Sequence, residues 1–170
     1  MRSKRIALIG MFAAAAIVLS FLENGIMDML NLAIPGAKPG IANLAVLLAL
    51  YYLGPWPAAL IAAVKCTAVF LATGAATTLL FSIGGTVLSL LGMVLIKRST
   101  AFTPAGVSAL GGFLNNFGQL CVMSLLGGSW GFFAYMPVNG AFGTLFGLLI
   151  GVLTSAVMKR LPEGKVKEWT

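Results

Sequence analysis

Long apolar runs closed off by basic residues constrain this chain more than any other feature. No acidic or basic side chain occurs from Ile6 to Leu22, from Cys66 to Ile96 or from Ser99 to Met158. A helix that crosses a bilayer needs about 20 predominantly apolar residues, and these runs supply several. Only 9% of the 170 residues are charged and 59% are hydrophobic, whereas a water-soluble domain carries roughly a quarter charged residues. Such a chain must place its surface in lipid. It reads as an all-α integral membrane protein, one transmembrane domain over residues 1–170, with the cell membrane as its expected location.

Six helices are expected, at about 5–22, 40–53, 57–73, 80–96, 105–126 and 138–158. The turn Gly54-Pro55-Trp56-Pro57 separates the second from the third. The basic start followed by an apolar run resembles a signal peptide, but no clear cleavage site follows, so it is read as a retained first helix. Nine of the eleven basic residues flank hydrophobic runs: Arg2, Lys4 and Arg5, then Lys97 and Arg98, then Lys159, Arg160, Lys165 and Lys167. Basic residues collect on the cytoplasmic side of membrane helices. Six crossings with both termini cytoplasmic place all nine there. Of the basic residues, only Lys38 falls in the external connections, roughly 23–39, 74–79 and 127–137.

The net charge of +7 does not point to nucleic acid, because no basic patch is interleaved with aromatics that stack on bases. Cys66 and Cys121 fall inside hydrophobic runs and read as small buried residues. The chain has no histidine and no C-x-x-C, so no zinc site is expected. It has no G-x-x-x-x-G-K-[ST] phosphate loop, no acidic pair spaced to hold Mg²⁺ on a diphosphate, and no nucleophile beside a histidine base. It therefore reads as no enzyme, with no cofactor.

The segment 23–39 is partly apolar and partly charged, with Glu23, Asp28, Lys38 and the kinked run Pro35-Gly36-Ala37-Lys38-Pro39-Gly40. It is expected to lie across the outer mouth of the bundle or to re-enter it. An ionisable group within a bilayer is expensive and marks a pathway or a site by default. Lys65 lies about eight residues into the third helix, roughly 12 Å along it, too deep to reach either interface easily. It reads either as a partner for an anionic substrate group or as an internal pair with Glu23 or Asp28. Asn43, Asn115, Asn116, Gln119 and Asn139 add amides in the same outer half, and the i, i+4 spacing of Asn115 and Gln119 puts both on one face. Singly, each amide reads as glue between helices. Together with Lys38, Lys65 and Glu23 they read as a substrate pocket open to the outside. On the first helix Gly10, Ala13 and Ala14 are small residues that let another helix approach closely, either within this bundle or from another membrane protein.

Three stretches carry a family resemblance: Arg5-Ile6-Ala7-Leu8-Ile9-Gly10-Met11-Phe12-Ala13-Ala14, then Glu23, then Pro35-Gly36-Ala37-Lys38-Pro39-Gly40-Ile41-Ala42-Asn43. They resemble the Gx transporter family, also labelled heptaprenyl diphosphate synthase component I. That family is similar to the S components of energy-coupling factor (ECF) transporters, six-helix proteins that capture vitamins and similar micronutrients. The resemblance implies an outward-facing pocket closed by the loop after the first helix. It further implies docking on a transmembrane coupling subunit through small residues of that helix, with two cytoplasmic ATPases driving the cycle. The usual docking pattern is A-x-x-x-A; here it is Gly10-x-x-x-Ala14, which keeps the size requirement.

The synthase label fits this chemistry poorly, since prenyl synthases depend on aspartate-rich metal motifs and Asp28 is the only aspartate. The leading expectation is a substrate-binding S component importing a small micronutrient or an isoprenoid-related compound. Its rivals are an accessory membrane subunit of a prenyl diphosphate synthase and a structural membrane subunit that transports nothing.

Overall fold

A computed structural model describes residues 2–29, 38–99 and 101–160. The described residues form six α-helices, α1 (Arg2–Met29), α2 (Asn43–Tyr52), α3 (Pro55–Thr73), α4 (Ala76–Lys97), α5 (Pro104–Gly127) and α6 (Met136–Arg160), with a 3-10 turn at Trp130–Tyr135 before α6. The chain is an all-α, multi-pass membrane protein. Five helices are long and apolar enough to cross a bilayer, and α2 is not.

Local chemistry sets the helix ends. Pro55 and Pro104 occupy first-turn positions, where a missing N–H costs nothing because that donor lacks an intrahelical partner in any case. The Thr103 hydroxyl accepts from the Gly106 N–H to cap α5. Gly74 (φ 65°) and Gly128 (φ 59°) end α3 and α5 in the left-handed conformation, which glycine adopts without a Cβ penalty.

Most expected boundaries move by a few residues, α4 for example starting at Ala76 rather than Leu80, and two of the shifts bear on the site. The first helix does not stop at Leu22: α1 continues to Met29, because no proline interrupts 23–29. Glu23 therefore sits on a helix rather than in a loop, at i+7 from Ala16 and i+3 from Ser20, all three of them buried. Residues 30–37 of the expected lid lie outside the described residues. The second helix does not begin at Gly40, whose φ is 75°, but at Asn43. With 10 residues it is about 15 Å long, half of the roughly 30 Å hydrocarbon core. The second crossing is thus a half-helix entered by the irregular backbone of residues 38–40, a form tolerated at membrane depth only where protein covers it.

Packing explains why α2 survives at that length. Ala45, Val46, Leu47, Leu48, Ala49 and Leu50 are all buried, so α2 is apolar all round and enclosed by α1, α3 and α6. Around it the long helices turn large apolar side chains outward, such as Leu71, Leu95, Leu125 and Leu149, as a lipid-facing surface requires. On α5 two seams of small residues let its neighbours in. A Cβ on Gly118 would meet the backbone of Gly84 on α4, and one on Gly112 would meet that of Gly143 on α6. Gly147 and Gly151 continue the α6 seam against Ser108, Ala105 and Pro104. Close packing is thus what Gly84, Gly85, Gly111 and Gly112 do.

The same contacts fix which ends lie together. Arg5 on α1 donates to the Leu53 carbonyl (3.3 Å) and Lys97 on α4 to the Leu50 carbonyl (2.6 Å). Gly151 near the end of α6 lies against Ala105 at the start of α5. Lys4, Arg5, Lys97, Arg98, Lys159 and Arg160 therefore share one end of the bundle, the end that charge asymmetry assigns to the cytoplasm.

Candidate functional site

The half-helix α2 creates a need for hydrogen-bond acceptors in the interior. No side chain of its own segment caps α2; the Asn43 and Leu44 N–H groups turn back to the Gly40 and Ile41 carbonyls, and the Gly40 and Ala42 N–H groups ahead of them need other acceptors. Glu23, reaching across from α1, supplies the acceptors. Its carboxylate accepts from the Gly40 N–H (2.5 Å) and, at the limit of hydrogen bonding, from the Ala42 N–H (3.5 Å). A carboxylate at a helix N-terminus also faces the positive end of the helix dipole. Glu23 is only 5% exposed.

Around this cap the sequence brings together polar groups from five segments. Lys65, buried on α3, donates from Nζ to Asn43 Oδ1 at 3.3 Å. Lys38 precedes the half-helix; its backbone N–H donates to Asn116 Oδ1 at 3.4 Å, and its ammonium lies within electrostatic reach of Glu23 and Lys65. Asn115 and Gln119 face in from α5, and Ser82 and Thr86 from α4. These groups line a cavity of about 40 Å³, room for a few waters.

The electrostatics are asymmetric. Among the described residues two ammoniums face one carboxylate, and both oxygens of that carboxylate already serve backbone donors. The side-chain amides of Asn115 and Gln119 are buried, line the cavity, and make no hydrogen bond with the described residues. An amide offers both donors and an acceptor, so the cavity combines net positive charge with uncommitted polar groups. That combination is fit to hold an oxyanion.

Six of the eight residues singled out in the sequence meet here: Glu23, Lys38, Asn43, Lys65, Asn115 and Gln119. Asn116 and Asn139 do not line the cavity. Both are fully buried, and Asn116 Nδ2 donates to the Asn139 carbonyl at 2.9 Å, tying α5 to α6 beside the seam. They fill the role of interhelical glue, while Asn116 also holds the Lys38 backbone in place. Sequence reasoning passed over Ser20, Asn24, Ser82 and Thr86, which also line the cavity. The available signal was their spacing: Ser20 and Asn24, like Ser82 and Thr86, stand i, i+4 apart and share a helix face.

The small residues of α1 divide between two faces. Gly10 and Ala14 are exposed, and nothing lies within 4 Å of a Cβ built on Gly10. Ala13 turns inward and packs against the core formed with α2 and α3.

No curated protein and no solved structure matches the chain. The model of one family, described as heptaprenyl diphosphate synthase component I, matches residues 12–157. That span takes in α2 to α5 whole, most of α1 and α6 and every residue that lines the cavity, and the protein belongs to that family.

Proposed function

We propose that the chain is the membrane-embedded substrate-binding S component of an ECF-type importer in the cell membrane. It would work with a transmembrane coupling subunit and two cytoplasmic ATPases, and catalyse nothing itself. The observation that carries this reading is the polar cavity between Lys38, Lys65 and the amides of Asn115 and Gln119. A bundle with a purely structural task has no use for a buried and a half-buried ammonium beside one committed carboxylate, since buried charge without full compensation destabilises. The exposed Gly10 and Ala14 support it, being small residues that this chain does not use for its own packing.

One experiment separates the classes. The tagged chain is purified from its native membrane in mild detergent, and every co-purifying protein is identified by mass spectrometry. A coupling subunit recovered with two ATPases supports the importer. The family description favours a second reading, an accessory subunit of a prenyl diphosphate synthase, which predicts a synthase subunit and no ATPases.

Two substitutions test the parts. Lys65→Gln keeps a donor for Asn43 but removes the charge. It is expected to weaken binding of an alkyl phosphate to the purified protein by ten- to a hundredfold, since a hydrogen bond to a charged group contributes about 1.5–3 kcal/mol. Unchanged binding in the folded variant removes Lys65 from the site. Gly10→Leu is expected to leave melting unchanged and to abolish recovery of the coupling subunit by preventing close helix approach. Intact recovery moves the docking face elsewhere.

A further inference from the structure

The polar cavity is small for a complete ligand. Small-molecule pockets span roughly 300–1,000 Å³, against about 40 Å³ here. A second void adjoins it: an apolar groove of about 330 Å³ between α3 and α4. Ala63, Cys66 and Thr67 line it from α3, and Ile83, Thr86 and Val87 from α4. Cys66 and Thr86 also line the polar cavity, and they touch each other, Sγ to Oγ1, at 3.5 Å. One pair of small side chains is therefore the shared wall between a cationic chamber and an apolar one. The groove lies on the membrane surface of the bundle, where Ala63, Thr67, Ile83 and Val87 are exposed.

We propose that the two voids form one site for a single-chain anionic amphiphile, its phosphate or carboxylate head between Lys38 and Lys65 and its hydrocarbon tail in the α3–α4 groove. This deepens the substrate-binding reading and rests on it. Charge selects the head, since the chamber offers two ammoniums and the free amides of Asn115 and Gln119, while its volume suits an oxyanion and little more. Adjacency across Cys66 and Thr86 selects the tail, because a ligand that parts those two touching side chains passes from the head chamber straight into apolar surroundings. The class has a physical consequence. The tail stays in contact with lipid, so such a ligand reaches its site sideways from the bilayer.

The test uses an alkyl phosphate bearing a diazirine at the far end of its chain, with the full-length protein in nanodiscs of phosphatidylcholine. After irradiation the labelled peptides are mapped. Label is expected to concentrate on α3 around Ala63–Thr67 and on α4 around Ile83–Val87. It should exceed label on the lipid-facing α6 residues Leu149 and Val152 by about tenfold, the weight of one charged contact. Lys65→Gln should reduce it to the α6 level, and Ala63→Phe, an exposed position, should displace it from the groove. An uncharged alkanol probe should mark all lipid-facing helices alike; an alkyl carboxylate probe ranks the two head chemistries. Even phosphate-probe labelling of the groove and α6, or the same groove preference with the alkanol, overturns the proposal. Groove labelling without recovered ATPases removes the importer and leaves this site standing. Even labelling with ATPases recovered removes this site and leaves the importer.

Discussion

Glu23→Ala is expected to lower the melting temperature of the detergent-solubilised protein more than any other single change in the polar cavity. The substitution strips the carboxylate acceptors from the Gly40 and Ala42 N–H groups and leaves them only what water the small cavity can hold. Each orphaned buried donor costs about 1–3 kcal/mol. It also removes the negative charge near Lys38 and Lys65, and breaking a buried charge arrangement by deleting one member adds a penalty of several kcal/mol. Glu23→Gln should fall between, since its single carbonyl oxygen can serve one N–H but returns no charge. Adding Lys38→Met to Glu23→Gln should recover part of the loss by removing one of two mutually repelling ammoniums. Thermal melts followed by size exclusion read all three. A Glu23→Ala protein that melts with the parent would mean that the half-helix needs no cap from α1, and would return Glu23 to the set of free ligand contacts.

That role for Glu23 marks where the sequence stopped being legible. Hydropathy and charge placement disclosed the class, the long helices and the shared basic end, because each is a property of a contiguous segment and lipid leaves a segment few options. The outer-half clustering of Glu23, Lys38, Asn43, Lys65, Asn115 and Gln119 was readable for the same reason: depth along a spanning helix follows from residue number. Rotation about the helix axis was harder to read. Asn115 and Asn116 are neighbours in sequence, yet one faces the cavity and the other faces α6, and only the packing of α5 between α4 and α6 decides which. The half-helix was hidden too. Residues 40–53 look like a single apolar run, and nothing local announces that Gly40 takes a left-handed conformation and that the cap comes from a carboxylate 17 positions earlier. The seam of Gly143, Gly147 and Gly151 had a plain small-xxx-small spacing, but composition alone does not say whether such a stripe faces its own bundle or another protein.

Two glycines of this chain should respond oppositely to the same substitution, and the contrast makes that last distinction measurable. At Gly112 even a Cβ would run into the Gly143 carbonyl, and the reciprocal Cβ on Gly143 would meet both the Gly112 carbonyl and Asn116 Nδ2. The obstacle is backbone on both sides, which cannot swing aside as a side chain can. Gly112→Leu must therefore push α6 away from α5, opening the Asn116–Asn139 hydrogen bond and loosening the helix that anchors the polar cavity. Overpacking a core costs about 1–3 kcal/mol when side chains can adjust; here the upper end or beyond is expected, read as loss of monodisperse protein or a sharply lowered melting temperature. Gly112→Ala should show a smaller loss of the same kind. Gly10→Leu meets nothing within 4 Å, so its melt should superimpose on the parent while partner recovery fails. A Gly112→Leu protein that melts like the parent would mean that α5 and α6 do not approach at glycine-only distance, and the seam that orients Asn115 toward the cavity would lose its basis.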